Sequence, residues 1–290
     1  MALGFLITFA VLATHLLQIT GLVFAGGLLL LWVAYNMWQE LHPTKAQEVD
    51  DPATEAVEGP PATKTFLQAA LQIMIDPSNC NPRWASVLAC LPDPLRADVS
   101  RETLEKLDRY VELLVDENQR QNLIAPKSVP DIWTRHVLDG AQLLGLASGQ
   151  GAWCDIGSGP GLPGMVIAIL GGRPMTLNDP RKLRAEFLRR VVTELHLADV
   201  QVDEGKIERL SGKFDFITAR AVARLDKLFG MACHMAHSET KWVLPKGESA
   251  QSELDEALKA WQGSFRLVQS QTHPASAIVV AQHVQRRGKR

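Results

Sequence analysis

The chain has 290 residues, a formal net charge of −2, and 46% apolar against 21% charged residues. That balance supports a substantial core, and it excludes a disordered polar chain or a protein drawn to nucleic acid by global charge. The four cysteines show neither CxxC nor metal-like spacing to histidine, so scattered reduced thiols are expected rather than a disulfide framework or a zinc site, and no bound metal is expected.

Residues 1–39 contain no Asp, Glu, Lys or Arg, and Glu40 is the first charge. The run "LGFLITFAVLATHLLQITGLVFAGGLLLLWVAYNMW" exceeds the ~20 residues that one spanning helix needs. It predicts one or two membrane-type helices over 1–40, with a break near "QITG"; a hairpin buried in a soluble domain is the alternative. Trp32, Tyr35 and Trp38 suit a headgroup boundary. The start lacks the positive region of a signal peptide. Residues 41–83 open on a polar, Pro-, Ala- and acid-rich linker and continue through "TKTFLQAALQIMID", which is too short to span.

Residues 1–76 resemble part of a TerC-like integral membrane protein. The resemblance rests on "GGLLLLWVAYNMWQEL", the acidic linker and "TKTFLQAALQIMID". Such proteins have several more helices and are associated with metal-ion transport. Here the last segment runs into "PSNCNPRWASVLACLP" instead of the family's acidic motif. A fragment without most of the helices encloses no ion path, so transport is not implied.

A second part spans 84–290. In "SRETLEKLDRYVELLVDENQRQNL", Ser100 is a helix N-cap, and Leu104, Leu107, Val111, Leu114 and Val115 recur at helical spacing. Short strands then alternate with helices. Strands are expected at "AWCDI", "PMTLN", "DVQVD", "FDFIT", "KWVLP", "FRLVQ" and "AIVVAQ", and helices over 163–171, 181–196, 223–237 and 249–260. The alternation predicts an α/β fold with a mostly parallel sheet and helices on both faces. No long helix separates the last two strands, so they are expected to form an antiparallel hairpin.

The stretch "DIGSGPGLPG" (155–164) links the first strand to the first helix of that alternation. From Gly159 it matches G-x-G-x-x-G, the dinucleotide fingerprint; from Asp155 it reads acid-x-G-x-G-x-G. Asp179 lies 20 residues after Gly159 at the tip of the next strand, placed to take the hydroxyls of a ribose. Three features favour S-adenosylmethionine over NAD. Asp155 repels a pyrophosphate and suits a cationic sulfonium. Pro160 and Pro163 remove N–H donors that a pyrophosphate uses. Nothing downstream offers a site for hydride transfer. A nucleotide-binding oxidoreductase or binding module that uses the loop for NAD remains the alternative.

Six motifs in order then resemble the ribosomal RNA small-subunit methyltransferase G family: "NLIAP" (122–126), "TRHVLDG" (134–140), "DIGSGPGLPG", "TLNDPRKLRAEFL" (176–188), "FDFITARAVARL" (214–225) and "LPKG" (244–247). Departures are Gly140, Asp179, Pro180 and Lys206. The resemblance implies a Rossmann-like S-adenosylmethionine-dependent methyltransferase that modifies N7 of a guanine in 16S ribosomal RNA. Its partner is then the small ribosomal subunit, its location cytoplasmic and its state monomeric. A membrane, if engaged, is engaged through residues 1–40 only, and a membrane-tethered form of the same enzyme is the second alternative. The resemblance carries cofactor positions to Gly157, Leu162, Ile207, Glu208 and Arg220, which join Asp155, Gly159 and Asp179. Guanine N7 carries a lone pair, so no general base is nominated. Arg220, Lys246 and Asn122 are candidates for positioning the substrate, with Arg135 beside them; a structural salt bridge for Arg220 and a solvated surface position for Lys246 are the alternatives.

His136 and Asp139 are expected to share a helix face, where they either pair beside the cofactor pocket or serve in capping or core hydrogen bonds. The run Arg181, Lys182, Arg184, Arg189 and Arg190, and the tail "QRRGKR", are either solvated or in contact with RNA phosphates.

Overall fold

The computed structural model describes residues 81–147 and 149–288. The expectations for the apolar front, the linker and the TerC-like stretch lie outside the described residues, apart from the linker's last three positions. Among the described residues no helix is long and apolar enough to cross a membrane.

Among the described residues the chain opens with three α-helices, α1 (Pro82–Cys90), α2 (Asp93–Asp98) and α3 (Arg101–Glu117), and shorter helical turns follow before the sheet. The first two were not legible as helices in the sequence. Asn81 caps α1, its Oδ1 accepting from Arg83 N at 3.1 Å. Pro82 opens that helix, where its missing N–H costs nothing. Trp84 and Val87 enter the core. Ser100 caps α3 as expected, its Oγ accepting from Thr103 N at 3.2 Å. Leu104, Leu107, Val111 and Leu114 form the buried stripe, and Tyr110 is fully buried among them.

Seven strands follow among the described residues: β1 (Trp153–Ile156), β2 (Met175–Asn178), β3 (Val200–Asp203), β4 (Phe214–Ala219), β5 (Ala236–Lys246), β6 (Trp261–Gln269) and β7 (Ala277–Arg286). They form one sheet in the order β3-β2-β1-β4-β5-β7-β6. The first five run parallel, and β7 is antiparallel to both β5 and β6. The terminal hairpin is thus as read from the sequence.

Alternation along the strands divides the core. Trp153, Met175, Leu177, Phe216 and Val243 face one cluster, which includes Leu107 of α3, with Met165 of α4 (Gly164–Gly171) and Leu188 of α5 (Lys182–Glu194). Cys154, Ile156, Ile217, Trp242 and Leu244 face the other, against Leu228 and Phe229 of α6 (Leu225–Ala232) and Leu254 of α7 (Ala250–Ala260). Helices therefore cover both faces, and β1 is buried at all four positions, as a central parallel strand must be.

The helix expected over 223–237 ends early. It stops at Ala232, a 3-10 turn follows at Cys233–Met235, and Ala236 already pairs with Phe214 of β4. Strand pairing overrides the local helical pattern there.

The chain leaves β1 for β2 and β3 on one side and returns to β4 on the other. That switch opens a crevice at the carboxyl ends of the strands, where ligands of open α/β sheets bind.

Candidate functional site

The glycine loop occupies this crevice between β1 and α4. Gly157 has φ +64°, and a Cβ there would lie 2.6 Å from Val222 Cγ2. At Gly164 a Cβ would lie 2.5 Å from both Asp155 Oδ2 and Leu177 Cδ2, so the start of α4 comes down directly onto the end of β1.

Asp155 is fully buried beneath this loop. Its Oδ2 accepts from Gly164 N at 3.0 Å, which occupies the first N–H of α4. Its Oδ1 has no hydrogen-bond partner among the described residues. Burial pushes the carboxyl up to about 7, against the pull of the Gly164 N–H and of Arg220. Asp179 is also buried. Its Oδ2 accepts from Gly159 N at 2.9 Å, its Oδ1 from Arg181 N at 2.9 Å, and Arg184 Nη1 stands 3.6 Å from Oδ2. The loop is braced from α3 as well, where the Tyr110 hydroxyl donates to Pro160 O at 3.0 Å.

A second network lies beside β4. Arg220, at the tip of that strand, donates from Nη1 to Asp139 Oδ2 at 3.1 Å and from Nη2 to His136 Nδ1 at 2.6 Å. Ser128 donates to Ala125 O at 2.8 Å, so its oxygen accepts from His136 Nε2 at 3.1 Å, and Nδ1 is left as the acceptor for Arg220. Burial, with Arg220 and Arg135 close by, pushes this imidazole down to about 4, and it stays neutral at physiological pH. His136 and Asp139 do not pair with each other. They sit where a π-helical turn, Trp133–Leu138, passes into α-helix at Asp139, and both reach Arg220.

A cavity of about 940 Å³ opens at this edge. Of the residues expected at the site, Gly157, Gly159, Leu162, Arg220 and Lys246 line it, together with Arg135. Asp155 and Asp179 lie behind the wall they hold in place. Ile207 is buried and Glu208 exposed on a 3-10 turn after β3, outside the lining; Asn122 is exposed, next to lining residues Leu123 and Ile124. Lys246 is not a solvated cation. Its Nζ lies 2.9 Å from Glu253 Oε2 and donates to Ala223 O at 2.8 Å, and its side chain is 9% exposed.

The basic run also disperses. Lys182, Arg184, Arg189 and Arg190 pair with Glu186, Asp179, Glu204 and Glu117, while Arg181 and Arg184 line the cavity.

Ser270, Thr272 and His273, in the turn between β6 and β7, complete the wall on the far side of Arg220. Sequence reading missed them. The signal was the polar cluster "SQTH" between two strands, which reads as an ordinary turn until the antiparallel hairpin is seen to end at the ligand edge.

A model of the family described as rRNA small subunit methyltransferase G (GidB) matches residues 103–279, from α3 into β7. Many relatives bear the name ribosomal RNA small subunit methyltransferase G, among them the following three. The protein of Zymomonas mobilis is 45% identical over 196 residues, which cover 64% of this chain and 88% of that one. The protein of Rhizorhabdus wittichii is 46% identical over 196 residues, covering 66% and 90%. The protein of Sphingopyxis alaskensis is 46% identical over 184 residues, covering 62% and 79%.

Proposed function

The chain belongs to the rRNA small subunit methyltransferase G family, and from that premise we propose that it transfers a methyl group from S-adenosylmethionine to N7 of a guanine in 16S ribosomal RNA. The observation that carries this reading is that the matched span contains the glycine loop, both acidic braces and the whole cavity edge.

The residues fit that cofactor better than a dinucleotide. A pyrophosphate takes its hydrogen bonds from the loop and the first turn of the following helix. Here Gly164 N and Gly159 N already donate to the carboxylates of Asp155 and Asp179. The acid buried beneath the loop at Asp155 and the Cβ-free backbone at Gly157 suit a cationic ligand that approaches the loop closely. In this reading Gly157, Gly159 and Leu162 form the cofactor cradle, with Asp155 and Asp179 beneath it. Ile207 and Glu208 stand at the tip of β3 on its far side, and Arg220 divides the cradle from the acceptor half. Bound S-adenosylmethionine supplies an electrophilic methyl group on a sulfonium. The protein removes no proton from guanine N7; it aligns the nitrogen with the methyl carbon and excludes water. The reading also implies a cytoplasmic monomer whose partner is the small ribosomal subunit, with Asn122 and Arg135 at the RNA side.

The test supplies the full chain with radiolabelled S-adenosylmethionine and small ribosomal subunits, then digests the RNA. Label in 7-methylguanine is expected. Folded protein that binds the cofactor yet labels no RNA overturns the reading.

A further inference from the structure

Asp139 divides its carboxylate between two elements that share no strand pairing. Its Oδ2 accepts from Arg220 Nη1 at the tip of β4. Its Oδ1 accepts from Thr272 Oγ1 at 3.0 Å and from Gln142 Nε2 at 2.9 Å. Gln142 extends the grip on the turn between β6 and β7: its Nε2 also donates to Ser270 Oγ at 3.1 Å, and its Oε1 accepts from Gln271 N at 2.9 Å. The hydroxyls of Ser270 and Thr272 lie 2.9 Å apart. Thr272 gives its proton to Asp139, so the Ser270 hydroxyl donates to Thr272 while accepting from Gln142. Every polar side chain in this cluster is satisfied, the condition under which such a network rigidifies its surroundings.

The cluster is separate from the bonds that hold the glycine loop. That loop is tied to Tyr110, Asp155, Asn178 and Asp179, and none of these belongs to the Asp139 cluster. The cavity thus has two walls held by separate hydrogen bonds: the glycine loop on one, and Ser270, Thr272 and His273 on the other, with Arg220 between them. A cofactor cradled by the glycine loop leaves the second wall to the acceptor base.

We propose that Asp139 is a positioning residue for the acceptor. Through Arg220 and Thr272 it locks the turn 270–276 against the tip of β4, and so fixes the wall on which the target base is presented. The proposal rests on the methyl-transfer reading above. In-line transfer is sensitive to such placement, and an error of about 1 Å in a supporting wall costs up to about a hundredfold in rate.

Three variants of the full chain test it: Asp139→Asn, Thr272→Val and Thr272→Ser. For each, kcat and KM are measured on small ribosomal subunits, cofactor Kd by calorimetry and folding by thermal melting. Asp139→Asn is expected to lower kcat about tenfold or more while cofactor Kd moves less than about threefold. Thr272→Val is expected to lower kcat by a smaller factor, and Thr272→Ser, which keeps the hydroxyl, to restore it. A folded Asp139→Asn protein with unchanged kcat overturns the proposal. So does a loss of cofactor affinity equal to the loss of kcat/KM, which would put the network on the cofactor side. Should Asp139→Asn fail to fold, Thr272→Val decides on the same criteria. A wild-type chain that methylates no RNA overturns the function itself; an active wild type with indifferent variants overturns only the role of Asp139.

Discussion

The hydroxyl of Tyr110 donates to the carbonyl of Pro160 at 3.0 Å, joining the middle of α3 to the apex of the glycine loop. Tyr110 has no exposed surface, and burial, with Asp155 nearby, pushes its hydroxyl well above the usual range, so it remains a donor at any working pH. Tyr110→Phe removes this one bond and keeps the packing. The expected cost is about 1 kcal/mol of stability, with cofactor affinity lowered several-fold because the loop loses its brace. Melting and calorimetry measure the two. A lower melting point with unchanged cofactor affinity would make α3 a support for the core alone.

Gly164 has no room for a side chain. A Cβ would lie 2.5 Å from Leu177 Cδ2 and from the carboxylate oxygen that caps the helix. Gly164→Ala is expected to lift α4 off β1, destabilise the protein by about 1–3 kcal/mol and abolish measurable cofactor binding. Chemical denaturation and calorimetry report on these; a variant as stable as wild type would show that the helix start moves freely.

Burial holds the Asp155 carboxyl at about 7 in the folded chain, against an ordinary value of 3.8. An acid whose pKa is raised by folding binds its proton more tightly in the native state. Its contribution is therefore fully present below about 4 and is lost as pH rises towards 7. Asp155→Asn cannot ionise, so its stability relative to wild type should climb across that window by an amount on the order of a few kcal/mol and level off above pH 8. Melting curves of the two proteins from pH 4 to 8 give the difference directly. Parallel curves would mean that water or an unseen donor satisfies the carboxylate.

The glycine loop, its acidic neighbours and the strand alternation were legible in the sequence because each follows from local chemistry. Turns that require glycine, an acid 20 residues on and buried apolar strands leave local marks. The cavity wall formed by Ser270, Thr272 and His273 was not legible, because it is made by pairing distant segments. Thr272 reaches Asp139 across 133 positions, and Gln142 reaches Ser270 across 128. His136 and Asp139 were seen as neighbours on one turn, but their shared partner Arg220 lies more than 80 positions away. Helices α1 and α2 escaped notice because prolines at 77, 82, 92 and 94 read as breaks, although Pro82 and Pro94 stand in the first turns of those helices.

Lys246 shows how the same spacing supports two roles that geometry separates. In the sequence its motif places it among the residues that meet RNA. In the fold its ammonium lies between Glu253 and the Ala223 carbonyl, and the two side chains are only 9% and 11% exposed. Burial alone would raise the Glu253 carboxyl, but the hydrogen bonds from Lys246 and Ser249 outweigh it and hold the group below its usual range. Removing one member of such a pair leaves the other charge uncompensated. Lys246→Met is therefore expected to cost about 3 kcal/mol of stability, with the loss smaller in acid, where Glu253 takes up its proton. A lysine that neutralises a phosphate also steepens the salt dependence of RNA binding, by about one unit of slope. Lys246→Met should leave that slope unchanged when binding to small subunits is measured across salt concentrations below the melting point of the variant. A slope shallower by one unit, with stability intact, would return Lys246 to the RNA interface.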